Sequence, residues 1–126
     1  MRRYDDIRLI LNSAGLGSWL IPISEAEVIS LRTEYPSVQA DYLDYLREIG
    51  HGDLGDGSYM IYGGLLRSDE IYDPETAHDL RSILFFGDDF RGQCAGFDTS
   101  QNWVVVEVES TDLSWSEMSK SFEEFI

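Results

Sequence analysis

Along residues 24–50 the apolar positions recur every three to four residues. Val28, Leu31 and Tyr35 fall on one helical face, and Val38, Tyr42, Tyr45, Leu46 and Ile49 repeat at the same spacing after it. Ser24 and Glu27 have the S-x-x-E spacing of a capping box, in which each side chain satisfies a backbone N–H at the other residue, and Ile23 and Val28 are placed for the hydrophobic staple beside it. Pro36 ends the first run, because its ring clashes with the preceding turn and it has no N–H to donate. Ser37 is placed to cap the second helix and Gly50 to stop it. Ahead of this pair, Ile7, Ile10 and Leu11 share one face of a shorter helix. Residues 12–17 break that helix, and Trp19-Leu20-Ile21-Pro22 is an apolar connector.

Beyond residue 50 the pattern changes. Gly52-Asp53-Leu54-Gly55-Asp56-Gly57 is a turn-rich loop. Residues 59–62 predict a strand that Gly63-Gly64 breaks or bulges. Residues 68–72 predict one helical turn, with Pro74 just after. Ile83-Leu84-Phe85-Phe86 has no polar position and is short, as in a central strand buried on both faces, and Gly87-Asp88-Asp89 ends it. Residues 94–97 and 103–108 are two further strands, with 98–102 as the turn of an antiparallel hairpin. Residues 122–126 close the chain as a short amphipathic helix. Helices first and consecutive strands later predict an α+β domain over residues 1–126. It has a central antiparallel β-sheet, N-terminal helices packed on one side and a short C-terminal helix. A nucleotide-binding α/β fold would alternate the two kinds of element.

Charge adds a direction to this scaffold. The chain carries 9 basic and 24 acidic residues, a formal charge of −15. Residues 1–50 hold 5 basic and 8 acidic groups, whereas residues 51–126 hold 4 and 16. So negative a surface repels nucleic acid and anionic lipid and attracts basic partners. Acidity on its own is equally explained by solubility. Cys94 is the only cysteine, which excludes an internal disulfide and fits a reducing compartment. The start of the chain lacks the apolar run of a signal peptide, and no stretch has the ~18–20 apolar residues of a membrane span, so the expected location is cytoplasmic.

Candidate chemistry is sparse. The chain has no P-loop, no G-x-G-x-x-G after a strand, no G-x-S-x-G elbow and no H-E-x-x-H, so no catalytic residue, cofactor or metal site is expected. His51 follows a helix end, where its cation would interact with the helix dipole, and His78 reads as a surface residue. Cys94 has no base beside it in sequence and reads as a buried structural thiol. Asp53-x-x-Asp56-Gly57 resembles part of a calcium loop but lacks its third alternate oxygen ligand and its distal glutamate. Turn chemistry explains one of Asp88 and Asp89 and leaves the other for a partner. Phe85, Phe86 and Phe97 read as core. Tyr59, Tyr62 and Tyr72 stand beside acidic turns, where a large apolar ring with a hydroxyl suits either an interface or the core edge.

The run Asp41-Tyr42-Leu43-Asp44-Tyr45-Leu46-Arg47-Glu48-Ile49-Gly50-His51-Gly52 resembles the D-Y-L-x-F-L-x-x-x-G-x-G element of the SUKH superfamily, the Smi/Knr cell-wall-assembly-regulator family and its bacterial relatives. Ile83-Leu84-Phe85-Phe86-Gly87-Asp88-Asp89-Phe90, with Gly92 and Gly96-Phe97-Asp98, resembles the second element. Trp103-Val104-Val105-Val106 and Phe122-Glu123-Glu124-Phe125-Ile126 resemble its ending. These runs lie in the family's order across residues 20–126. Where such proteins often have a proline before the Asp-Tyr element, this chain has Val38-Gln39-Ala40. The resemblance implies an α+β fold and a non-catalytic role. In bacteria that role is an immunity protein that binds and neutralises a cognate toxin domain, here expected to be basic and nuclease-like. The alternative is a regulatory or scaffold module with a non-toxin partner. The expected contact residues are Asp53, Asp56, Tyr59, Tyr62, Asp88 and Asp89, where acid and tyrosine come together.

Overall fold

The capping box at Ser24 is formed. In the computed structural model of the chain, which describes residues 4, 6, 7, 9, 20–54, 59–109 and 111–125, Ser24 Oγ accepts the Glu27 N–H at 3.2 Å. Glu27 Oε1 in turn accepts the Ser24 N–H at 3.4 Å, and helix α1 (Glu25–Glu34) follows. Val28 is its buried position, with Leu31 and Tyr35 packed against the core. Helix α2 (Ala40–Glu48) buries Tyr42, Leu43, Tyr45 and Leu46, as its spacing predicts. Of the expected short first helix, Ile7 is described and helical, while Ile10 and Leu11 lie outside the described residues.

Two details of α2 differ from expectation. Its N-cap is Gln39, not Ser37, and it makes no side-chain cap. The Gln39 carboxamide is engaged elsewhere: Nε2 donates to the Trp103 carbonyl at 2.8 Å and the Lys120 carbonyl at 3.0 Å, and Oε1 accepts the Phe122 N–H at 2.9 Å. One side chain thus joins α2 to the sheet and to the C-terminal helix. At the other end Gly50 stops the helix with φ +109°, and a Cβ there would run into the backbone of Ile21 and Pro22. That close approach lets the apolar connector bridge to His51, N–H to carbonyl at 3.1 Å in both directions.

Six strands follow: β1 (Gly52–Asp53), β2 (Met60–Arg67), β3 (Ile83–Asp88), β4 (Cys94–Asp98), β5 (Val104–Val108) and β6 (Trp115–Ser119). Each pairs antiparallel with the next, so spatial order equals chain order. The hairpin of β4 and β5 is the predicted one. Strand β2 runs through Gly63-Gly64 instead of ending there, because the register shift between Ile61 and Leu66 absorbs them as an irregularity. A 3₁₀ turn (Ser68–Glu70) replaces the expected helical turn over 68–72. Pro74 then opens helix α3 (Pro74–Asp79) instead of merely following a helix. Proline suits that first position, where an N–H would have no intrahelical partner.

The described residues form an α+β structure in which both sheet faces are covered. Helices α1, α2 and α4 (Phe122–Phe125) pack over Ile61, Leu65, Leu84, Phe86, Phe97 and Val105. Tyr42, Phe86, Phe97 and Phe122 form an aromatic cluster there, with Phe86 and Phe122 centroids 5.0 Å apart at 82° and Tyr42 and Phe122 5.2 Å apart at 73°. Such edge-on pairs contribute about 0.5–1.5 kcal/mol each beyond area burial. On the opposite face Ile83, Phe85, Val106 and Val108 lie under Leu80, Tyr72 and Leu113. Strand β3 therefore buries alternate side chains in two cores, which is why residues 83–86 have no polar position.

Candidate functional site

The register of the sheet brings carboxylates to one of its ends. Asp53 pairs with Met60, Met60 with Asp88, Asp88 with Cys94, Cys94 with Val108, and Val108 with Trp115. Asp89 lies just beyond this row on β3. Glu107 and Glu109 flank Val108 on the β5 side. Gln93 ties them together, since its Nε2 donates to Glu107 Oε1 at 2.7 Å and to Glu109 Oε1 at 3.2 Å. Asp53, Asp88, Asp89, Glu107 and Glu109 thus gather from β1, the β3–β4 turn and the end of β5. Arg91 in that turn is exposed among them. Crowding shows in Glu107: burial, then the Asp89 and Glu109 charges, raise its carboxyl above the usual carboxylate range.

Each expected contact residue has a definite place, except Asp56, which lies outside the described residues. Turn chemistry engages both turn aspartates, and not one of the two as expected. Asp88 Oδ1 accepts the Phe90 N–H at 2.8 Å. Asp89 Oδ1 accepts the N–H groups of Arg91 at 2.8 Å and Gln93 at 3.1 Å. Local bonding of this kind does not remove either residue from a charged surface, although the second Asp88 oxygen is also taken, by the Tyr62 hydroxyl.

The tyrosines belong to the edge of the core more than to open surface. The Tyr62 hydroxyl donates to Asp88 Oδ2 at 2.6 Å, which joins the acid and the tyrosine that the sequence placed together. Burial, followed by that hydrogen bond, raises the Tyr62 phenol. The Tyr59 ring packs against Phe125, with centroids 6.0 Å apart. Its hydroxyl is buried with no hydrogen-bond partner among the described residues, and burial followed by the nearby Glu107 and Asp88 charges raises it too. Neither phenol ionises near neutral pH, so tyrosinate contributes nothing to the negative end.

Sequence reasoning missed four residues of this end. Glu107 and Glu109 sit in and just past β5, and pairing of the predicted hairpin would have set Glu107 against Ala95. Phe90 and Trp115 are large apolar groups left 47% and 41% exposed. Phe90 holds φ at +65°, an uncommon backbone state for an aromatic residue. The Asp88 and Asp89 carboxylates clamp the N–H groups around it, and so the turn presents the ring outward.

The remaining candidates for chemistry resolve simply. Cys94 is buried, and burial is the main reason its thiol is raised, which disfavours a nucleophilic thiolate. His78 is exposed in the last turn of α3, 3.3 Å from Arg81 Nη1. Among the described residues no cluster of histidine, cysteine, aspartate or glutamate could hold a metal ion, and no helix is long and apolar enough to cross a membrane. No protein-family model, no curated protein and no solved structure matches the chain.

Proposed function

We propose that the acidic end of the sheet is a contact surface for a basic protein, and that the chain is a SUKH-like immunity protein that neutralises a cognate bacterial toxin by direct binding. The observation that carries the reading is the convergence of Asp53, Asp88, Asp89, Glu107 and Glu109 at one end of the sheet. A concentrated negative field speeds encounter with a cationic partner, and a nuclease toxin is cationic because it must hold phosphates. Exposed Phe90 and Trp115 add the aromatic anchors on which affinity in protein interfaces usually depends. The antiparallel α+β fold, and the ordered motifs from Asp41 to Phe125, support the family resemblance on which the word immunity rests. The reading is non-catalytic and places the encounter in the cytoplasm.

The test is co-expression with the toxin domain encoded beside this chain, scored as survival, with binding kinetics at two salt concentrations. Rescue by the parent chain is expected. Asp89→Asn keeps the turn acceptor and removes the charge, and Glu109→Lys reverses an exposed charge. Together they are expected to slow association on the order of tenfold at low salt, with a smaller effect at high salt. Unchanged association kinetics would remove the acidic end from the interface. Absence of both rescue and binding would remove the toxin, and leave the regulatory module with a non-toxin partner as the reading to pursue.

A further inference from the structure

The other end of the sheet is mixed in charge: at Tyr35 the Glu34, Arg67 and Glu70 charges all act. Strand β2 leaves the sheet at Arg67, which pairs with Leu84 near the start of β3. Arg81 stands just before that strand. Of the four basic residues among positions 51–126, these two line one groove of about 660 Å³. Its walls are built, not incidental. The buried Ser68 hydroxyl donates to the Ala77 carbonyl at 2.7 Å and pins the 3₁₀ turn to α3. The Arg81 guanidinium is oriented by its own bond to the His78 carbonyl, 2.8 Å from Nη1. Tyr35 and Tyr72 supply half-buried rings, and Leu84 is among the apolar lining. A second cavity of about 350 Å³ shares Tyr35, Arg81 and Leu84 with the first and adds the Trp103 side.

We propose that this groove binds a small aromatic phosphate monoester, with the phosphate held by Arg67 and Arg81 and the ring laid against Tyr35 and Tyr72. Guanidinium forks match phosphate oxygens in geometry as well as charge, and two forks offer more donors than one carboxylate can accept. The volume is that of a small-molecule site. Asp69 also lies at the mouth, paired with Arg67 Nε at 3.2 Å. Both partners of that pair are well exposed, so it is solvent-screened and readily exchanged for a doubly charged phosphate. A nucleic-acid polymer does not suit the groove, because the rest of a chain of charge −15 repels an extended phosphate backbone. A single small anion pays that repulsion once and gains two guanidinium contacts. The proposal does not depend on the acidic end, so its failure would leave the basic-partner reading intact.

The experiment is an amide-resolved NMR titration of the full chain with phenyl phosphate, and separately with inorganic phosphate, phenol, benzoate and a short acidic peptide. Saturable shifts at Arg67, Tyr72, Arg81 and Leu84 are expected with phenyl phosphate. Binding of the other four probes is expected to be roughly tenfold weaker or more. Arg67→Ala and Arg81→Ala are each expected to weaken phenyl phosphate about tenfold, with spectra that otherwise show an intact fold, whereas Arg32→Ala on α1 changes nothing. Arg81→Lys, which keeps the charge and loses the fork, is expected to fall between. No saturable shift in the groove overturns the proposal. So does equal binding of inorganic phosphate, benzoate or the peptide, or indifference to both alanine substitutions.

Discussion

The two ends of one sheet differ in the groups they gather and in how their charges are held. At the end where β2 begins and β3 finishes, five carboxylates come from β1, the β3–β4 turn and β5, with exposed Phe90 in that turn and exposed Trp115 at the start of β6. At the end where β2 finishes and β3 begins, two guanidinium groups line a concave groove with two half-buried tyrosines. Strand β3 separates them by its own length, about 17 Å at the usual rise per residue. That exceeds the screening length of ~8 Å at physiological salt, so each end presents its own field to a partner despite the overall charge of −15. The acidic end suits a large cationic surface. The concave end suits a small anion. Net charge alone describes only the first.

The largest expected effect abolishes the contrast. Phe86 lies at the centre of β3 and of the aromatic cluster, so Phe86→Ala is expected to cost about 3–5 kcal/mol in denaturant unfolding and to weaken binding at both ends together. Loss at one end only would mean that the two ends do not share the packing described here. Next is Tyr62→Phe, which removes the 2.6 Å bond to Asp88 together with the hydroxyl's contact to the Cys94 thiol. Its expected cost is about 1 kcal/mol, with faster amide exchange in the β3–β4 turn and unchanged affinity in the groove. Equal exchange effects at both ends would break the comparison.

The smallest effect is electrostatic. Glu107 has a raised folded-state carboxyl, mainly through burial, so its protonated form favours the folded protein in acid and that stability is lost as pH rises through its titration. Glu107→Gln keeps an oxygen for Gln93 and removes the charge. The variant is therefore expected to melt slightly above the parent at neutral pH, within the ~0.5 kcal/mol usual for surface changes, and to converge with it as the parent carboxyl protonates in acid. A gap that widened in acid would show that crowding is not what acts on Glu107.

Much of the scaffold is legible in the sequence because the signals are local. The Ser24–Glu27 capping box, the Tyr42–Leu46 face, the two-sided run at 83–86 and the hairpin of β4 and β5 each depend on residues within one or two elements. The elements that were not legible lack a local apolar signature. Strand β1 has two residues, and β6 is exposed at four of its five positions and is held by its backbone pairing to β5. Helix α3 buries only Ala77, and its proline resembles a stop when the helix it starts is not yet visible. Gln39 reads as a polar residue before a helix. Its three bonds reach residues more than sixty positions away.

The site follows the same division. Acidic excess in the second half, and Tyr62 and Asp88 as separate candidates, are visible along the chain. Glu107, Glu109 and the Arg67–Arg81 pair are not, because what unites them is the end of the sheet they reach. An antiparallel meander reverses direction at every strand, so residues that meet at one end are scattered in sequence, and neighbours within a strand point to opposite faces. Register decides which groups meet, and a slip of one residue would turn each side chain to the other face. The sequence by itself therefore determined helices α1, α2 and α4, the α+β order and the size of the charge. Only the tertiary structure decided which charged groups meet at each end of the sheet, because that depends on long-range strand pairing that no local pattern encodes.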